Sequence, residues 1–392
     1  MRSISALSAR FGLVLKHAVG AVALLAGASF AAPADAASCF GRGEVFAMVP
    51  ASPGFPEGIV VDDNRVFVSG PATFGTAGQG PSKISIYKRK NGKPAGVITI
   101  QGEATQFEHA LSCVTTDDEG RVYALSTQLG VVRLTEGNNG AWTQEIYAPA
   151  LPMLPACNDV PAGTTCSPKL ITPLPPIPND LAFDEDGFLY VTDSFQATIF
   201  RVPPGGGDAE IWFQSAALVS LPGAIGLNGL RVSPDGQEIY FSVTGTLGSG
   251  GAEGLIFKLP RVEQPEEADL EVVHSYPAGE SPDGIAFGEH GKLYVTLAGS
   301  NQISILDRFG AETQRISGPT GCSVPFDAPA NVAFDGDGSL LVVNHALFTA
   351  DPTHMAVLSV FVNDDGLELE HGNGHGNGHG HGHGNGHGHG HH

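Results

Sequence analysis

Pro178-Asn179-Asp180-Leu181-Ala182-Phe183-Asp184-Glu185-Asp186-Gly187-Phe188-Leu189-Tyr190-Val191 reads as a small turn, an apolar strand, an acidic-Gly hairpin and a second apolar strand. The opening of this phrase returns as Pro56-Glu57-Gly58-Ile59-Val60-Val61-Asp62 and as Leu227-Asn228-Gly229-Leu230-Arg231-Val232-Ser233. It returns again as Pro282-Asp283-Gly284-Ile285-Ala286-Phe287-Gly288. Weaker copies are Leu111-Ser112-Cys113-Val114-Thr115-Thr116-Asp117 and Pro329-Ala330-Asn331-Val332-Ala333-Phe334-Asp335. The copies lie about fifty residues apart, the period of a propeller blade.

The run before each hairpin is apolar on both faces, which suits an inner strand sandwiched between neighbouring sheets. Asp184-Glu185-Asp186-Gly187, Ser233-Pro234-Asp235-Gly236 and Glu119-Gly120 supply the tight turns. Aromatic second runs follow, as in Lys292-Leu293-Tyr294-Val295, and further strands such as Ile199-Phe200-Arg201-Val202 and Gln302-Ile303-Ser304-Ile305-Leu306 complete each repeat. Four strands in each of six repeats predict an all-β, six-bladed β-propeller of four-stranded antiparallel blades over residues 37–366. Val45-Phe46-Ala47-Met48-Val49 precedes the first repeat and is expected to give the last blade its outer strand, closing the ring of blades.

The two ends do not read as part of that fold. Arg2, Arg10 and Lys16 precede an apolar run from Ala18 to Ala32, and Ala34-Asp35-Ala36 offers a cleavage site. Residues 1–36 are therefore expected to be a secretory signal peptide, with the mature protein secreted or periplasmic and without a membrane span. From 367 to 392 the chain becomes Gly-, His- and Asn-rich and is expected to be disordered. That tail holds nine of the fifteen histidines: His371, His375, His379, His381, His383, His387, His389, His391 and His392. Their imidazoles can chelate Zn2+, Ni2+ or Cu2+, though a soluble spacer would have the same composition. The net charge of −21 disfavours nucleic acid and anionic membranes as partners. Five cysteines in an exported chain point to disulfides with one thiol left over. Cys157 and Cys166 form the expected local bridge in a Pro-rich insertion, Cys39 and Cys322 a possible long-range one, and Cys113 a buried free thiol.

The second residue of each copy gives Glu57, Ser112, Asn179, Asn228, Asp283 and Ala330. Inner strands line the central channel of a propeller, so these residues ring one mouth. Glu57, Asn179, Asn228 and Asp283 bring hard oxygen atoms, a set that suits Ca2+, with Mg2+, Mn2+ or Zn2+ as alternatives. Any one of them alone would equally cap a turn. The second strand runs antiparallel and ends at the same mouth, which places Asp193, Ser194, Asn344 and His345 at the substrate rim. His109, just before the second inner strand, joins them. The connection from Ala148 to Pro178 is expected to form a lid.

The ordered turns Glu57-Gly58, Asn179-Asp180, Asn228-Gly229 and Pro282-Asp283-Gly284 resemble those of the gluconolactonase, regucalcin (senescence marker protein) and luciferin-regenerating enzyme family over roughly residues 42–365. More distantly, His109-Ala110-Leu111-Ser112 and Leu341-Val342-Val343-Asn344-His345 are similar to the histidine segments of paraoxonases. The family resemblance implies that Glu57, Asn179, Asn228 and Asp283 bind a divalent metal. It also implies hydrolysis of a small lactone or ester, with the metal polarising the carbonyl and Asp283 or His109 deprotonating water. Two other functions fit the same residues: a non-catalytic propeller that binds a ligand or protein, and a secreted metal-handling protein that uses its His-rich tail.

Overall fold

The acidic-Gly hairpins of blades two and three close because an aspartate satisfies the turn. Asp184 Oδ1 accepts from the backbone N–H of Asp186 at 3.0 Å and of Phe188 at 2.9 Å, while the Tyr190 hydroxyl donates to Oδ2 at 3.1 Å. Asp117 does the same for Glu119, Arg121 and the Tyr123 hydroxyl, at 3.1, 3.0 and 2.8 Å. One carboxylate thus supplies the acceptors that a tight turn leaves missing. A computed structural model describes residues 40–168, 175–220, 225–246 and 253–366. The expected leader, Cys39 of the expected long-range bridge, and the His-rich tail lie outside these residues.

The described residues form six antiparallel four-stranded sheets around a central channel. β1 (Gly43–Met48) is followed by blade one, β2 (Ile59–Asp62), β3 (Arg65–Gly70), β4 (Lys83–Lys88) and β5 (Pro94–Thr99). Blade two is β6 (Leu111–Thr116), β7 (Val122–Ser126), β8 (Gly130–Glu136) and β9 (Trp142–Ala148). Blade three is β10 (Pro178–Phe183), β11 (Leu189–Asp193), β12 (Thr198–Val202) and β13 (Glu210–Gln214). Blade four is β14 (Leu227–Val232), β15 (Glu238–Thr246), β16 (Glu253–Pro260) and β17 (Glu271–Tyr276). Blade five is β18 (Pro282–Phe287), β19 (Leu293–Leu297), β20 (Gln302–Leu306) and β21 (Glu312–Ile316). Blade six is β22 (Pro329–Phe334), β23 (Ser339–Asn344) and β24 (Ala356–Phe361), and β1 pairs with β24 as its outer strand. The expected propeller and its closure are both present.

Three of the six blade interfaces share one aromatic contact, which gives the aromatic second strands a role. Tyr123 meets Phe183 edge-on at 4.9 Å, Tyr240 meets Phe287 at 5.1 Å and Tyr294 meets Phe334 at 5.1 Å between ring centroids. In each case a tyrosine from a second strand packs on the phenylalanine that ends the next inner strand. Such pairs contribute about 0.5–1.5 kcal/mol each beyond their buried area.

Glycines after the ring positions let inner strands approach one another. A side chain at Gly229 would place its Cβ 2.6 Å from the Asp283 carbonyl, and one at Gly284 would stand 2.6 Å from the Ala330 carbonyl. The inner strands also bulge at the ring positions. Between Pro178 and Leu181, Leu227 and Leu230, Pro282 and Ile285, and Pro329 and Val332 the pairing register slips. A bulge re-aims a side chain out of the regular alternation, and here it lies at Asn179, Asn228, Asp283 and Ala330.

The insertion between β9 and β10 contains the expected Cys157–Cys166 disulfide. It is anchored on blade three, with Leu151 and Leu154 buried against Leu181, Leu189 and Val191. Gln196, itself buried, accepts from the Leu154 N–H at 2.6 Å and donates to the Pro152 carbonyl at 3.0 Å and to Asp193 Oδ2 at 2.7 Å. Replacing Gln196 with alanine leaves those partners unpaired and is expected to cost about 1–3 kcal/mol. The same change should speed amide hydrogen exchange across residues 150–168. Unchanged exchange there would mean that the insertion is held by something other than Gln196.

Candidate metal centre

Strand pairing sets the ring at the mouth where second strands end. Pro178 lies opposite Asp193, and Pro329 lies opposite Asn344. Glu57, Asn179 and Asn228 are buried, and Asp283 is partly open to the channel. Glu57 and Asp283 are close enough that each carboxylate feels the other or its neighbour Asp180. Burial first, then the charges of Asp283 and Asp180, holds the Glu57 carboxyl well above its ordinary range. Asp283 is shifted the same way by burial and by Asp180, against a hydrogen bond from Asn228. The Asn228 amide also donates to Thr244 Oγ1 at 3.0 Å, which orients its oxygen. Asn179 sits at the equivalent register of β10, directly before Asp180.

The donor set is two carboxylates and two carboxamides. Among the described residues no group of three or more His, Cys, Asp and Glu side chains is arranged to hold a metal, so any ion here depends on the asparagines. Buried like charges without a basic partner are unfavourable by themselves. Oxygen donors carrying two negative charges fit a divalent hard cation, which would remove that repulsion.

A third carboxylate, Asp180, is handled differently. Its Oδ2 accepts from Arg231 Nη1 at 2.7 Å and from the Leu230 N–H at 2.8 Å. Its Oδ1 accepts from the Leu181 N–H at 2.8 Å and from the Cys113 thiol at 2.7 Å. Arg231 Nη2 reaches Asn331 Oδ1 at 3.3 Å, so the network joins blades two, three, four and six. Burial, and after it the Asp180 charge, pushes the Cys113 thiol well up, which keeps it a protonated donor. The sequence carried two signals for this network. Arg231 interrupts an apolar inner strand, and Asp180 stands where blades one, four and five have glycine.

The rim residues reach the expected mouth, but three of them are occupied by backbone. Asp193 Oδ1 accepts from the N–H groups of Ile177, Phe195 and Gln196 at 3.2, 2.9 and 3.1 Å. Ser194 Oγ donates to the Leu227 carbonyl at 2.6 Å. Asn344 accepts from the Asp327 N–H at 2.7 Å and donates to the carbonyls of Pro325 and His354 at 3.0 and 2.8 Å. His345 is buried edge-on against Phe55 with 6.1 Å between centroids, and burial carries its pKa down to about 4. His109 is fully buried, its Nδ1 3.3 Å from Glu103 Oε2 and 3.2 Å from Gln128 Nε2. Its Nε2 faces Gly80, where an added Cβ would come within 2.3 Å. His109 is therefore enclosed by these neighbours.

A six-bladed propeller with oxygen donors gathered at one mouth defines the architectural class. Residues 98–345 match the model of the SMP-30/gluconolactonase/LRE-like region, and the chain belongs to that family. Its fold is similar to that of a calcium-binding protein, regucalcin, from Agrobacterium tumefaciens strain C58 (17% identity, 83% of this chain and 97% of that one, TM-score 0.52). It is also similar to a luciferin-regenerating enzyme (14% identity, 85% of this chain and 97% of that one, TM-score 0.50). No curated protein sequence matches the chain. At these identities the likeness to solved structures concerns the fold.

The raised carboxyl pKa values of Glu57 and Asp283 fix the sign of a stability change. Without a cation, the stability linked to them is complete below the ordinary carboxylate pKa of about 4 and is lost as pH rises through their raised values. Chelator-treated protein should therefore gain stability on mild acidification. Asp283→Asn should raise its melting temperature at neutral pH by a few degrees. With Ca2+ added, the same substitution should lower it, because a ligand of the native state is lost. Equal destabilisation with and without Ca2+ would separate Asp283 from any ion.

Proposed function

We propose that this protein is an exported, divalent-metal-dependent hydrolase of lactones or related esters. Support comes chiefly from two neighbouring carboxylates, buried Glu57 and partly open Asp283, flanked by Asn179 and Asn228, in a chain of the SMP-30/gluconolactonase/LRE-like family. Ca2+ suits this donor set best, with Mg2+, Mn2+ or Zn2+ as substitutes. Glu57, Asn179, Asn228 and Asp283 would hold the cation, which would supply Lewis-acid polarisation of the substrate carbonyl.

The chain's own part in the reaction is proton transfer and placement. Asp283 is the one carboxylate of the ring that is partly open to the channel, and it accepts a proton from the attacking water. The water oxygen bonds to the carbonyl carbon, the acyl C–O bond breaks, and that proton passes to the leaving alkoxide. One water is consumed and a hydroxy acid, or an acid and an alcohol, is released. Asn228 keeps the Asp283 carboxylate oriented through its hydrogen bond. His109 has its ring buried against Glu103 and Gln128, which favours Asp283 as the base.

Export rests on the leader read in residues 1–36 and agrees with the Cys157–Cys166 disulfide. Among the described residues no helix is long and apolar enough to cross a membrane. We further propose that the tail histidines, which lie outside the described residues, capture Zn2+, Ni2+ or Cu2+ through their imidazoles. A panel of aliphatic, aryl and sugar lactones, with and without chelator, tests the proposal. Hydrolysis should vanish with chelator, return with Ca2+, fall at least about a hundredfold in Asp283→Asn and survive truncation after Glu370. Hydrolysis that chelator leaves untouched, or that Asp283→Asn retains in full, would refute the metal-dependent mechanism.

A further inference from the structure

Among the described residues, the loops that face the ring carry several exposed large apolar side chains. Phe74 in the β3–β4 loop, Phe107 in the β5–β6 loop and Met153 in the β9–β10 insertion are 62%, 61% and 57% exposed. Phe348 in the β23–β24 loop is 67% exposed. Strand direction places all four connections at the mouth where the inner strands begin. Two aromatic rings also stack across that face. Phe74 of blade one lies parallel to Phe195 of blade three, 6.2 Å between centroids and 9° between planes. The β3–β4 loop that delivers Phe74 is secured behind it. Thr76 donates through its N–H and its hydroxyl to Glu108, each at 2.8 Å, and the Gly78 N–H donates to the Thr105 carbonyl at 2.6 Å.

Three polar rim residues of the same mouth are already engaged. Asp193, Ser194 and Asn344 have their hydrogen bonds taken up by backbone of the adjoining loops. A polyhydroxylated lactone needs several unoccupied donors and acceptors to replace the water it loses, and a site without them rejects it. An apolar substituent needs only surface to cover, which Phe74 and its neighbours provide.

We propose that this mouth selects lactones or esters bearing an alkyl or aryl group, and that Phe74 is a specificity-determining residue that packs on that group. The inference rests on the hydrolase reading for its carbonyl chemistry, but it concerns a different part of the substrate.

Two measurements on the full chain with Ca2+ keep the two apart. The first is hydrolysis of γ-decalactone against D-glucono-δ-lactone. Decalactone should have the higher kcat/KM, and Phe74→Ala should lower it about tenfold, chiefly through KM, while leaving the sugar lactone unchanged. Phe74→Leu should restore most of the loss, and the melting temperatures should agree because Phe74 is on an exposed loop. A preference for the sugar lactone, or an equal loss for both substrates, would overturn the assignment. The second measurement is calorimetric titration with two hydrolysis-resistant analogues, the γ-hexyl butyrolactam and D-glucono-δ-lactam. If neither lactone is hydrolysed, the hydrolase reading fails, and this titration alone decides the mouth. Tighter binding of the hexyl lactam, weakened by Phe74→Ala, upholds the inference; equal or absent binding overturns it. Cosedimentation with phosphatidylcholine vesicles that depends on Phe74, with decalactone kinetics indifferent to it, would assign these side chains to a lipid surface instead.

Discussion

The ion pair between Asp180 and Arg231 is the constraint on which the channel depends. Three carboxylates, Glu57, Asp180 and Asp283, stand close together at the inner ends of blades one, three and five. Left alone they would repel one another in a place with little water. Arg231 neutralises Asp180 within the protein, and backbone N–H groups and the Cys113 thiol complete its coordination. A buried pair of this kind contributes little net stability, but removing one partner is costly, so it fixes an arrangement more than it strengthens one. What remains is a pair of carboxylates whose combined charge matches a divalent ion.

The repeat explains how so many polar groups can be gathered at one point. A propeller is assembled from hydrophobic sheets, and its inner strands are sandwiched on both faces. Only at the strand ends can side chains leave the sheet, and the bulges at Asn179, Asn228 and Asp283 turn them into the channel. The Tyr–Phe contacts join neighbouring blades at the opposite ends of the inner strands. The candidate site is therefore placed at a register position rather than on a particular loop. Blades two and six keep the fold but bring Ser112 and Ala330 to the same register, which leaves a gap in the ring on either side of Glu57 in blade one.

Periodicity made the blades, their closure through β1 and the register of Glu57, Asn179, Asn228 and Asp283 legible before any coordinates. Each of those is a local statement, repeated along the chain. The fates of Asp193, Ser194 and Asn344 were not legible. Their position at the mouth followed from strand direction, but their partners come from residues such as Leu227 and Pro325, and an occupied polar side chain reads the same as a free one. The burial of His109 against Glu103 and Gly80 was hidden for the same reason. Arg231 was visible as an oddity in an apolar strand, yet its target, in the preceding blade, required the propeller to be closed first.

The central claim is that the four ring residues hold one divalent ion. Anomalous diffraction from crystals grown with Mn2+, which substitutes for Ca2+ at oxygen sites and scatters strongly, tests it most directly. A single anomalous peak is expected at the channel mouth, within bonding distance of oxygen atoms of Glu57, Asn179, Asn228 and Asp283, with Arg231 still paired to Asp180. A channel without a peak, or one in which Arg231 has turned from Asp180 to neutralise Glu57 or Asp283, would contradict it.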